Sequence, residues 1–250
     1  MGTVLAVVSG KGGTGKTTTA AAVASCLAAL GHRTLCIDCD AGLKNLDIAL
    51  GMTDCAVTDL MDVVTGRTPL KDAAYPHMTI KDLFFLPAPV SVLPEQIDAD
   101  GFRETVAQAR EEYEYTVIDA PAGVGAGFRL AAAAADTVIV VSNGDLLSMR
   151  DGQCVVQELL KLDCQDVRMI VNRVKRRRFR SSRMTVDDII DTVGARLLGL
   201  VSEDEDVILA ANRETPLILC SDGEAANQFL RIARRIAGED VPLGRIKNRR

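Results

Sequence analysis

What the chain lacks sets the first limits on it. Its 250 residues include seven cysteines. They are too few and too scattered for a disulfide framework, and an odd count behind no secretory leader suits reduced thiols in a cytosol. The one close pair is Cys36 and Cys39. A structural metal centre needs a second pair at ligand spacing, and there is none, so both read as small apolar residues of a core strand. No apolar run approaches the ~20 residues that a membrane-spanning helix needs. Met1-Gly2 starts like a myristoylation signal, but Ala6 stands where that signal carries Ser or Thr. A basic excess is missing as well: the formal charge is −5. That excludes a polycation built to coat nucleic acid and makes any anion site a local one. No linker, repeat or low-complexity tract divides the chain, so one domain is expected.

What is present is an alternation of short β-rich runs and helical stretches, with 48% hydrophobic residues to fill a core. Val4–Val8 is a continuous apolar run ending at Ser9-Gly10, the pattern of a strand buried on both faces. Further strands are expected at Thr34–Ile37, Leu83–Leu86, Thr116–Ile118, Thr137–Val141, Val167–Val171 and Leu197–Val201. Helices are expected at Thr17–Leu30, Gly101–Glu112, Ala126–Ala135, Ser148–Leu162, Val186–Val193, Asp204–Ala211 and Glu224–Ala237. Such alternation predicts an α/β fold, a mostly parallel sheet flanked by helices on both faces. Residues 54–94, rich in Asp, Pro and Thr, are the least regular stretch.

The chemistry concentrates after the first strand. Gly10-Lys11-Gly12-Gly13-Thr14-Gly15-Lys16-Thr17 fits G-x-x-x-x-G-K-[ST], between an expected strand and an expected helix. Gly12, Gly13, Thr14, Gly15, Lys16, Thr17 and Thr18 would cradle phosphates with backbone N–H groups at a helix N-terminus. Lys16 reaches the β- and γ-phosphates of ATP, and the Thr17 hydroxyl ligates Mg²⁺. A single-domain P-loop ATPase is therefore expected. Asp119 ends the strand Thr116–Ile118, at the ligand edge of an α/β sheet, where it would serve the metal through water. Asp38 and Asp40 end the second strand, and one of them would orient the attacking water. Thr17, Asp40 and Asp119 are thus the candidate oxygens around Mg²⁺. The loop Pro121–Gly127 that follows Asp119 suits a γ-phosphate sensor.

Lys11 and two basic clusters stay open on chemistry alone. Lys11 either sits solvated or reaches a nucleotide held by a second subunit. Arg173, Lys175, Arg176, Arg177, Arg178, Arg180 and Arg183 crowd one loop. They read either as a solvated charged loop or as a contact for phosphates of DNA or lipid. Arg245, Lys247, Arg249 and Arg250 mark the end of the chain.

At these residues the chain resembles the deviant Walker A ATPases, the MinD/ParA family, and within it the MinD branch. Lys11-Gly12-Gly13-Thr14-Gly15-Lys16-Thr17-Thr18 matches that family's K-G-G-x-G-K-T-T. Ile37–Asp40 with Gly42–Asp47 is similar to its first switch, and Asp119–Gly123 to its second. Leu43–Asp47, Ser148–Asp151, Val171–Arg173, Met184–Asp188 and Asp206–Asn212 point to the MinD branch. The resemblance implies an ATP-sandwich homodimer in which Lys11 acts across the interface. It implies that Asp40 positions water, that Asp119 serves the Mg²⁺ site and that Asn172 recognises adenine. It also implies a cytoplasmic protein that associates with the inner membrane when ATP is bound. Such proteins recruit a MinC-like inhibitor of division, and in some bacteria a MinE-like activator resets them. A ParA-like partitioning ATPase that binds DNA nonspecifically and a MinD-type regulator of flagellar number share most of these motifs. An iron–sulfur carrier ATPase would need a late cysteine pair, and Cys154, Cys164 and Cys220 are not so spaced.

The end of the chain departs from the family's amphipathic membrane-targeting helix. Residues 1–238 read as the ATPase domain and 239–250 as a short basic tail. Pro242 and Gly244 oppose a helix, and only Val241, Leu243 and Ile246 offer apolar surface. Four basic residues at ~1 kcal/mol each near an anionic leaflet give about millimolar affinity, and two tails in a dimer approach micromolar. Weak binding to anionic membrane is the expectation.

Overall fold

The computed structural model describes residues 1–40, 45–53, 57–89, 92, 94–175 and 185–243. The chain opens with strand β1 (Thr3–Val8), helix α1 (Lys16–Ala29), strand β2 (Thr34–Asp38) and the short helix α2 (Leu46–Leu50). Two more short helices, α3 (Leu60–Val64) and α4 (Leu70–Ala73), precede strands β3 (Tyr75–Pro76) and β4 (Leu83–Leu86). Then come α5 (Ala99–Glu112), β5 (Tyr115–Asp119), α6 (Ala126–Ala134), β6 (Thr137–Asn143) and α7 (Leu146–Lys161). The last part holds β7 (Asp166–Val174), α8 (Val186–Val193), β8 (Arg196–Ser202), α9 (Glu205–Asn212), α10 (Leu217–Cys220) and α11 (Glu224–Ile236).

The strands form one sheet in the order β3-β4-β2-β5-β1-β6-β7-β8. Every pairing is parallel except β3 against β4. The strands read as unbroken apolar runs because both faces are covered. Val4, Ala6 and Val8 of β1 enter one core layer and Leu5 and Val7 the other, the period of two that a strand imposes. Phe102 of α5, Phe128 of α6 and Leu159 of α7 fill the first layer. Leu27 of α1 and Phe229 of α11 fill the second. This is the α/β fold expected from the sequence.

The stretch expected to be irregular carries α3, α4 and β3. Helices of four or five residues are too short for the 3.6-residue period to show in a sequence. Local capping marks one of them: Asp59 accepts from the backbone N–H groups of Met61 and Asp62, and the Asp62 carboxylate accepts from Asp59 N–H. Beyond α11, Arg234 pairs with Glu239, and Arg235 donates to the carbonyls of Val241 and Pro242. Residues 239–242 therefore lie along the end of α11. The basic residues 176–183 and 245–250 are outside the described residues.

Phe229 is 1% exposed in the layer shared by α1 and α11. Truncating a buried aromatic ring removes its transfer energy and leaves a cavity. Phe229→Ala is expected to lower stability by roughly 3–5 kcal/mol, read as a drop in the urea midpoint at unchanged slope.

Candidate functional site

The C-terminal ends of β1, β2 and β5 meet at one edge of the sheet. Register fixes this: β1 and β2 flank β5, with Val7 opposite Asp119 and Asp38 opposite Asp119. The loop after β1 turns directly into α1. Gly13 and Gly15 hold φ of 80° and 90°, a left-handed backbone open to glycine at little cost. Gly15 is the N-cap of α1 and brings no side chain to cap it, and the first turn contains no acid. Elsewhere Asp98, Asp145, Thr185 and Asp204 supply caps to α5, α7, α8 and α9. The leading N–H groups of α1 are thus left for an anion.

Lys16 is the electrostatic centre. Its ammonium, 6% exposed, lies 2.8 Å from Asp119 Oδ1 and 3.5 Å from Asp40 Oδ2. Burial raises the Asp119 pKa, opposed by the charge and hydrogen bond of Lys16 and by the Thr17 hydroxyl. Asp38 lies deeper, at 2% exposure. Burial first, then the Asp119 charge, push its pKa up to about 8, against the Asp40 N–H that donates to it and the Lys16 charge. Burial also raises the Cys36 and Cys39 thiols, helped by the Asp38 and Asp119 charges. These cysteines enter opposite core layers, as core residues and not as a joint ligand pair.

A cavity of about 370 Å³ opens over the loop. Lys11 to Thr18 form its floor, and Asp40, Ala122 and Arg173 reach its walls. Of the two aspartates ending β2, the one facing the cavity is Asp40. Lys11 stands at the rim, about 40% exposed, with its ammonium 3.1 Å from Asp151 on α7. Gly10 lets α7 approach: a Cβ there would meet the Asp151 backbone at 2.8 Å. Asn172, near the C-terminal end of β7 beneath the loop, is 6% exposed, and its amide donates to the Thr14 carbonyl at 2.9 Å. Its Nδ2 lies 2.2 Å from where a Gly15 Cβ would stand, so only glycine fits. Every expected site residue is therefore at this cavity or braces it.

Two wall elements carry residues that had not been assigned to the site individually. Asn45, Ile48 and Ala49 of the α2 segment and Ala211 of α9 line the cavity. Apolar and small residues carry no chemical signal, and α2 has only five residues. Asp151 appeared in a family motif without its role as the Lys11 partner. Gly42–Lys44 of the first switch lie outside the described residues.

The donor set suits Mg²⁺. Asp119 Oδ2 is buried without a hydrogen-bond partner among the described residues, as is Thr14 Oγ1. Thr17, Asp40 and Asp119 offer only oxygen, the donor of hard cations. Among the described residues no group of three or more His, Cys, Asp or Glu side chains is placed to hold a metal. Mg²⁺ tolerates this, because it binds through one or two carboxylates together with phosphate and water.

Comparison with known proteins agrees with the geometry. The family model for the CobQ/CobB/MinD/ParA nucleotide binding domain matches residues 5–217. The septum site-determining protein MinD of Thermotoga maritima is 37% identical over 246 residues, 97% of this chain and 91% of that protein. Among solved structures, the MinC:MinD cell division protein complex of Aquifex aeolicus superposes with a TM-score of 0.90 at 35% identity, covering 97% of this chain and 98% of that one. MinD of Pyrococcus horikoshii complexed with Mg-ADP gives 0.82 at 28% identity, covering 94% and 96%.

The raised Asp38 pKa has a consequence for stability. Between the ordinary value of 3.8 and the folded value of about 8, the unfolded chain has released a proton that the native state keeps. Stability therefore falls as pH rises through this window, by up to ~1.4 kcal/mol per pH unit from this group. Asp38→Asn is expected to flatten the decline measured by urea unfolding at pH 5, 6 and 7 without nucleotide. An unchanged slope would show that Asp38 ionises normally.

Proposed function

The chain belongs to the MinD/ParA family of nucleotide-binding proteins and is a Mg²⁺-dependent ATPase of the septum site-determining MinD kind; from that premise we propose that it is an ATP-driven homodimer switch working at the membrane. The observation that carries this reading is Lys11. A cation on the rim of its own cavity, held by one exposed ion pair, is released at little cost, since such pairs contribute about 0–1 kcal/mol. It is then free to meet the transferring phosphoryl group of a second copy.

We assign the remaining roles by position. Lys16 binds the β- and γ-phosphates, and the open end of α1 receives their charge. Thr17 and Asp119 hold Mg²⁺, which offsets phosphate charge, with Asp40 beside them. Asp40, on the cavity wall, orients a water for in-line attack. The water oxygen bonds to the γ-phosphorus as the bond to the bridging oxygen breaks, giving ADP and phosphate. Asn172 offers its amide to the base while it braces Thr14.

A MinC-like inhibitor is the partner we infer from likeness to the MinD of the MinC:MinD complex. A MinE-like activator would reset the switch. Among the described residues no helix is long and apolar enough to cross a membrane. We place the membrane contact in residues 239–250, a basic tail that is weak in one copy and strengthened by pairing two.

The test is to pellet the protein with anionic liposomes under ATP or ADP, with duplex DNA as competitor. Pelleting with ATP alone, surviving DNA, is the expected result. ATP-dependent binding to DNA without pelleting would instead support a partitioning ATPase acting through the basic residues 173–183. Lys11→Ala is expected to bind ATP like wild type, yet lose dimerisation in sedimentation and at least ~10³-fold in turnover. Wild-type sedimentation and turnover in that variant would remove the role in trans.

A further inference from the structure

Among the described residues, four other than glycine hold a positive φ: Asp82, Asp163, Arg173 and Glu214. Asp82, Asp163 and Glu214 lie in turns, where such conformations are common. Arg173, at φ 52°, lies inside strand β7. A long side chain there carries a conformational cost that the surroundings must maintain.

The pairing of β7 with β8 shows how it is maintained. Val171 pairs with Leu200 and Val174 with Ser202, so β7 spends three steps against two on its neighbour. Val171 and Val174 enter the same core layer despite their odd separation. The extra residue is a β-bulge, a device that re-aims a side chain. Asn172 is pinned to the Thr14 carbonyl on one side, and Val174 is buried at 4% exposure on the other. Arg173 is left exposed between them and lines the nucleotide cavity. Among the described residues its guanidinium has no ion-pair or hydrogen-bond partner.

We propose that Arg173 is a further nucleotide-contacting residue, its planar cation lying over the base of bound ATP. The proposal rests on the ATP-binding reading of the cavity and adds to it the residue that covers the base. Strand order separates the base end from the phosphate end. The phosphate loop follows β1, and β7 is two strands away, roughly 10 Å at the usual strand spacing. Ile48, Ala49 and Ala211 add apolar surface to the cavity lining and bring no competing charge. A guanidinium in such a cavity holds a heteroaromatic ring by stacking and cation–π attraction. Lysine, a point charge without a plane, does this poorly. Stacking is blind to the edge of the base, so Arg173 contributes affinity and leaves the choice of base to others.

Arg173→Gly tests this with two readouts of opposite sign. Glycine adopts the left-handed conformation freely, so the thermal midpoint is expected to equal or exceed that of wild type. Affinity for Mg-ATP by calorimetry is expected to fall roughly 3- to 30-fold, the range of a stacked cation. Affinity for inorganic tripolyphosphate, which has no base, is expected to stay at the wild-type value. Arg173→Lys is expected to lose most of the same ATP affinity. Equal losses for ATP and tripolyphosphate would overturn the proposal by making Arg173 a phosphate contact. Unchanged ATP affinity or a lowered midpoint would overturn it by making the residue idle or structural. Wild-type protein that bound no ATP would take the underlying reading down with it; wild type that binds beside an unaffected variant sinks the inference alone.

Discussion

One buried ammonium organises the ligand edge of this protein. Lys16 faces Asp119 and Asp40, with Asp38 behind them, so one positive charge answers three carboxyl groups delivered by two strands. Three ionised carboxylates are more than one ammonium can balance away from water. The structure resolves the excess by depth. Asp40 stays near solvent, Asp119 takes the close ion pair, and Asp38 keeps its proton at neutral pH. The local field is then set for an incoming cation and polyphosphate together. On the proposed reading the unpaired Asp119 oxygen would help hold Mg²⁺, which would offset phosphate charge, and Lys16 would turn from carboxylate to phosphate.

That arrangement depends on strand order. β1 lies between β5 and β6, and β5 lies between β2 and β1, so the loop, Asp38 and Asp119 emerge side by side. Parallel pairing puts all their C-terminal ends on the same edge. Burial of both sheet faces keeps the strands from slipping, because a one-residue shift would exchange the two core layers. The reactive edge is therefore held by residues such as Phe102 and Phe229 that lie far from any phosphate.

Much of this was legible in the sequence, for physical reasons that differ by element. The seven longer strands were legible because strands buried on both faces read as apolar runs, and the loop was legible because few alternatives satisfy its glycine spacing. Asp119 was legible from position, as a carboxylate at a strand end, whereas position left Asp38 and Asp40 as a pair and the family resemblance singled out Asp40. Helices α2, α3, α4 and α10 were not, since four or five residues leave no period to detect. The pairing of Lys11 with Asp151 joins residues 140 positions apart, and no local pattern encodes it. The bulge at Arg173 was hidden for the same reason, because it exists only relative to β8. In the sequence that arginine reads as one more charge in a basic run.

The phosphate loop is braced from three directions, and each brace uses a feature that local propensity disfavours. Gly10 gives up a side chain so that the α7 backbone can approach. Gly15 gives up another so that the Asn172 amide can sit in its place and bind Thr14. The Gly123 N–H donates to the Ser9 carbonyl, tying the loop after β5 to the start of the cradle. Glycine-rich loops lose much conformational entropy on ordering. Here that cost falls on folding and not on nucleotide binding, because the braces are in place before a ligand arrives. A preorganised loop can spend the phosphate contacts on affinity and on the developing charge of the reaction. The same braces connect the loop to α7, to β7 and to the segment after β5, so a change in any of these must either preserve the cradle or strain it.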